Sequence, residues 1–183
     1  MMALKIKFFT TLILLVITKS LCQNKYITRE GNIEFESQIE TFEPIKAKQN
    51  SVTSVFNADT GEIAVLALVK GFRFKNALME EHFNESYVES DTYPKTTFKG
   101  KILDFSINSD QTKYIMEGTI NFHGVDKTYD NIPVDVIIDK SKIKLQGKFV
   151  TPVKDFNIKI PKIVSKKIAA DINVTFELLL QKK

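Results

Sequence analysis

Residues 113–122 read KYIMEGTINF, and this stretch decides the fold. Tyr114, Met116, Gly118, Ile120 and Phe122 share one parity, with Glu117, Thr119 and Asn121 between them. A period of two sets one face of a strand in a dry interior and the other in water. The pattern returns further along. Ile143, Leu145, Gly147 and Phe149 alternate with Lys142, Lys144, Gln146 and Lys148, and Ile172, Val174, Phe176, Leu178 and Leu180 share a parity again. Strands of this kind in succession predict a mostly β fold, an antiparallel sheet that closes into a barrel, because closure removes exposed edges. The interior of such a barrel is either packed solid or holds one apolar ligand. The sequence leaves both open.

Working outward, residues 31–37 and 51–57 read as strands, and residues 41–50, with Pro44 and a polar end, as a loop. Asp59-Thr60-Gly61 is a turn into residues 63–69, which are apolar at every position. Both faces of that strand are therefore expected to be covered. The expected cover is a single short helix outside the barrel or at its rim. Asn76 is its N-cap, Glu80 and Glu81 suit its start, and Leu78, Met79, His82 and Phe83 form its apolar stripe. From Lys95 onward nearly everything reads as strand. The change of phase at Leu103-Asp104 predicts a β-bulge, and residues 122–125 a tight bend. Residues 151–167, with Pro152 and Pro161, are the least regular, a strand with a long following loop.

Residues 1–22 have the layout of a secretory signal peptide: Lys5 and Lys7, an apolar run from Phe8 to Ile17, then Ser20-Leu21-Cys22 before Gln23. The run is short for a membrane span, which takes about 20 residues. Cleavage after Cys22 would leave one domain, residues 23–183, without cysteine and so without a disulfide framework or thiol nucleophile. It would also remove Lys5, Lys7 and Lys19 and no acid. The 26 Lys+Arg then fall to 23 against 22 Asp+Glu, and the net charge falls from +4 to +1. With lysines alternating along strands instead of clustering, nucleic-acid binding is not expected.

The order of elements is similar to a known family. Residues 76–85 (NALMEEHFNE), then Tyr93-Pro94 and Phe98, resemble the segment of YceI-like proteins in which a short helix precedes a Tyr-Pro and an aromatic strand. Residues 118–127 (GTINFHGVDK) resemble that family's Gly-x-Leu and Gly-Val-x-Lys stretch, and Asp155-Phe156 with Ile172 to Val174 its Asp-Phe pair and final strand. Where the family often has Arg before and Gly after the Asp-Phe pair, this chain has Lys154 and Asn157. The resemblance implies a lipocalin-like barrel, exported to the periplasm or beyond, that binds an apolar lipid such as a polyisoprenoid.

Within that frame, the residues expected to line a cavity are Phe98, Gly100 and Ile102, Met116, Gly118 and Phe122, Leu145, Gly147 and Phe149, and Phe176. The inward glycines either let strands coil as the barrel closes or leave a channel beside the phenylalanines. Fourteen Phe and no Trp suit an apolar cavity, since Phe brings area without a polar atom, though Phe is also ordinary core. No catalytic residue, metal or cofactor is expected. The two histidines, His82 and His123, lie far apart in sequence, and a metal would need them to meet a carboxylate such as Asp126 or Asp130. No Gly-x-Ser-x-Gly elbow, phosphate loop or His-Glu-x-x-His is present. Lys127 and Lys154 are rim lysines that either meet a phosphate headgroup or stand in solvent. The expected function is that of a non-catalytic lipid carrier. The alternative is a solid-cored structural or envelope-stress barrel acting through its outer surface. The sequence is compatible with a homodimer and does not require one.

Overall fold

The computed structural model describes residues 24–39, 44–162, 165 and 168–183. The expected signal peptide and Cys22 lie outside them. Period-two alternation yields strands β1 (Lys25–Ser37), β2 (Ile45–Asn57), β3 (Glu62–Leu68), β4 (Arg73–Phe74), β5 (Lys95–Ile102), β6 (Lys113–Phe122), β7 (Val125–Asp139), β8 (Lys142–Pro152) and β9 (Asp171–Lys182). Among the described residues, eight of them form a closed antiparallel barrel in the order β1-β9-β8-β7-β6-β5-β3-β2, sealed by β1 pairing with β2. The two-residue β4 flanks β2 at Ala47 and Lys48. The β6–β7 hairpin turns on His123 and Gly124, with φ of 51° and 73°. Two successive positive φ values match the right-handed twist of the strands it joins.

One end of the barrel is solid. Val52, Phe56, Ile102, Ile143, Leu145 and Leu180 are fully buried there. Phe105, from the loop after β5, stands edge-on to Phe56 with ring centroids 5.0 Å apart and packs on Tyr114 at 5.6 Å. That loop corrects one expectation. Leu103-Asp104 is no bulge: the β5–β6 ladder ends at Ile102, Asp104 turns the chain at φ 54°, and Phe105 and Ile107 reach the core from the turn. The register shifts sit elsewhere, in β1 around Gly31 and between β6 and β7, where Met116 opposes Ile132 and Gly118 opposes Tyr129.

Residues 45–50, expected as loop, belong to β2. Their polar side chains are those of its wet face, Lys46 and Lys48, while inward Gln49 is satisfied by donating to the Leu68 carbonyl at 3.1 Å and accepting from Ser51. Of residues 151–167, Thr151 and Pro152 close β8, Val153–Phe156 is a 3-10 turn, and the described residues beyond it are irregular up to β9.

Among the described residues, the cover expected over β3 is also absent. Its outward Ala64, Leu66 and Leu68 are exposed, Leu68 at 57%. After β3 the chain doubles back as β4, and helix α1 (Ala77–His82) is held to it at the rim. Glu80 accepts from Arg73 Nη1 at 2.8 Å and from the Phe74 amide at 3.1 Å, while Asn76 caps the helix by accepting from the Leu78 amide. Within the expected stripe, Phe83 is buried and Leu78 stands exposed.

At the solid end, Asp59 in the β2–β3 turn accepts from both the backbone and the side-chain nitrogen of Asn24, at 3.0 and 2.7 Å. These bonds hold its carboxyl below the ordinary value of 3.8. A carboxylate with a lowered folded-state pKa contributes stability above its unfolded pKa and loses it as pH falls through the folded value. Thermal melts on the acid side of pH 3.8 should therefore fall less steeply for Asp59→Asn than for the wild type. Parallel curves for the two would refute the coupling.

Candidate ligand-binding cavity

The other half of the barrel is hollow. A cavity of about 390 Å³ runs from Ile63, Met116, Ile132 and Leu178 to the mouth, and none of its lining residues is Lys, Arg, Asp or Glu. Its walls follow from the alternation, since inward residues of neighbouring strands pair directly: Val65 with Phe98, Phe98 with Ile120, and Phe149 with Val174. The solid and hollow halves together answer the question the sequence left open. The interior is core at one end and cavity at the other.

A cage of phenylalanines narrows the mouth. Phe83, from the π-helical turn Phe83–Tyr87 after α1, lies 5.4 Å from Phe35, 6.1 Å from Phe72 and 5.1 Å from Phe74, measured between ring centroids. Phe122 and Phe156 meet edge to face at 5.5 Å on the other side. His123 ties these parts together. Its ring bonds the Phe156 carbonyl at 2.9 Å and Glu89 at 3.2 Å, with Tyr93 4.6 Å away. His82 lines the mouth instead, and the two histidines do not converge. No group of three or more His, Cys, Asp or Glu among the described residues could hold a metal.

Of the residues expected to line a cavity, Phe98, Met116, Phe122, Phe149 and Phe176 do so. Ile102 and Leu145 do not; both are fully buried in the solid end. Gly100, Gly118 and Gly147 face inward but leave no channel, because phenyl rings occupy the space above them. A Cβ on Gly100 or Gly118 would stand 2.5 Å from Phe98 Cζ, and one on Gly147 2.6 Å from Phe176 Cζ. The glycines let those two rings lie flat against the wall, and the rings form part of the lining.

Sequence reasoning missed the cage. Phe72 and Phe74 sit in a short excursion without periodic context, and the helical spacing of Met79 and Phe83 reads as cover for β3. The signal was Phe-x-Phe just after Gly71. Ile158, Ile160 and Ile168 also line the cavity from irregular chain, where no periodicity marks a buried face.

The family model described as YceI-like domain matches residues 25–180. The chain belongs to the YceI-like family. Several solved structures share the fold. BcnA of Burkholderia cenocepacia is 18% identical with a TM-score of 0.68, the match covering 81% of this chain and 95% of that one. A polyisoprenoid binding domain from Saccharophagus degradans, implicated in plant cell wall breakdown, is 12% identical at a TM-score of 0.69, over 88% and 99%. The YCEI protein of Campylobacter jejuni is 18% identical at 0.64, over 80% and 90%. No curated protein sequence matches the chain. The departure from the YceI-like pattern after Asp155-Phe156 has a backbone reason. Asn157 has φ 57°, a left-handed conformation that Gly adopts freely and Asn tolerates.

Proposed function

We propose that this YceI-like protein is an exported, non-catalytic carrier that holds a polyisoprenoid or acyl chain in its barrel cavity. The observation that carries the reading is the cavity itself, about 390 Å³ with no Lys, Arg, Asp or Glu in its lining, in a barrel already solid at its other end. Pockets of this size take small ligands and bury most of their surface. A hydrocarbon chain gains about 0.8 kcal/mol for each CH₂ that leaves water, so a long chain binds well with little polar contact. The Saccharophagus degradans domain, called polyisoprenoid binding, supports this choice of ligand class. Export to the periplasm or medium rests on the leader-like layout of residues 1–22. No described helix is long and apolar enough to cross a membrane. Phe98, Met116, Phe122, Phe149 and Phe176 are the contacts we assign to the chain.

The test is native mass spectrometry of the protein expressed from its full sequence and recovered gently from the cell envelope, followed by solvent extraction. A stoichiometric apolar adduct is expected. Bare protein, even after incubation with prenyl and acyl lipids, would exclude the carrier role and move attention to the outer surface.

A further inference from the structure

The barrel wall is not hydrogen-bonded all the way round. β7 pairs with β8 only from Val134 opposite Gly147 to Asp139 opposite Lys142. Toward the mouth, residues 125–133 of β7 and 148–152 of β8 carry no pairing with each other, although both belong to long strands paired on their other sides. Side chains bridge the opening. The Tyr129 ring meets Phe149 at 5.3 Å between centroids, and its hydroxyl lies 2.5 Å from Thr151 Oγ1. Nearer the mouth, Lys127 Nζ donates to Asp155 Oδ2 at 2.8 Å.

These polar groups are on the inner face. Tyr129 is directly opposite Gly118 and Lys127 opposite Ile120, while Thr151 is opposite Ile172. Thr151, Ile120 and Ile172 line the cavity, and Thr151 is more than nine-tenths buried. Each hydroxyl carries one donor and two acceptor sites. The Tyr129–Thr151 bond uses one of the two O–H groups, and the other has no acceptor among the described residues. One O–H of the pair is thus available to donate to a ligand oxygen beside the cavity.

Charge decides what that something is. The ammonium beside the opening, Lys127, is held by Asp155, whose hydrogen bond and charge raise its pKa. A phosphorylated head would have to part that pair or lie against a carboxylate only 17% exposed. The phenol stays a neutral donor, since burial raises its pKa above the ordinary 10.0. We propose that the opening between β7 and β8 is the polar end of the ligand site, and that the Tyr129–Thr151 hydroxyl pair takes the oxygen of an uncharged head, alcohol or carbonyl, in preference to a phosphorylated one. The proposal rests on the lipid-binding reading above and goes further by naming the head.

Three C20 probes test it: geranylgeraniol, geranylgeranyl phosphate and the matching hydrocarbon without oxygen, each titrated into the protein expressed from its full sequence. The alcohol is expected to bind about tenfold more tightly than the phosphate, since Lys127, the ammonium on the inner face, is already paired with Asp155. Tyr129→Phe and Thr151→Val should each weaken the alcohol about fivefold and leave the hydrocarbon unchanged. The hydrocarbon also reports whether each variant keeps its cavity. Equal losses on alcohol and hydrocarbon would reduce the pair to wall packing and overturn the proposal, as would a wild-type preference for the phosphate. If the wild type bound none of the three, the lipid-binding reading would itself be lost. Hydrocarbon binding without any effect of oxygen would defeat the head assignment alone.

Discussion

Gly118→Ala should unfold the barrel at a lower temperature than the wild type, and Gly118→Leu should be little worse. The reason is the first carbon of the new side chain. A Cβ on Gly118 would lie 2.5 Å from the Lys99 carbonyl oxygen and 2.6 Å from the Gly100 Cα, besides meeting the Phe98 ring. The ring can rotate away; the backbone of β5 cannot, because Gly100 pairs directly with Gly118 in the ladder. Overpacking typically costs 1–3 kcal/mol, and a clash against backbone should reach at least about 3 kcal/mol. For a chain of this length that is a drop in melting temperature of about 6–12 °C. Thermal melts of both variants check it. A Gly118→Leu protein that melts like the wild type but takes up less lipid would show instead that the glycine was an open gap in the lining.

Ile120→Trp should abolish most lipid binding and leave the melt unchanged. Ile120 lines the hollow half beside Phe98, so an indole there enters empty space and not a packed core. It displaces roughly four methylenes of ligand, worth about 3 kcal/mol together, and affinity for a C20 chain falls about 100-fold. Val150→Trp is the control, since Val150 is on the outer face at 52% exposure and the substitution should change nothing. Titration with a fluorescent prenyl or acyl probe reads both. Undiminished binding by Ile120→Trp would place the ligand somewhere other than the cavity.

The sequence was most legible where structure is local. Residues 113–122 alternate, and they form β6; the helix starts at the Asn76 cap that its side chain announces; residues 122–125 make the tight bend. It misled where one short apolar run had two explanations. Residues 63–69 read as covered on both faces, yet Leu66 and Leu68 are exposed, because small apolar residues on one strand do not show what lies beyond it. Phe105 and Ile107 kept a strand-like parity while sitting in a loop.

Alternation and the inward parity of β5, β6, β8 and β9 were thus determined by the sequence alone, because side-chain direction along a strand is a property of the backbone. Tertiary structure decided which inward rows meet. It set the Phe98 and Phe176 rings over glycines of neighbouring strands and brought Phe72, Phe74 and Phe83 to the mouth from an excursion with no period of its own. It also parted β7 from β8, so that Tyr129 reaches Thr151 across 22 residues of chain. Whether a space is filled depends on ring lengths and backbone paths from elements distant in sequence, and no single strand's pattern contains that information.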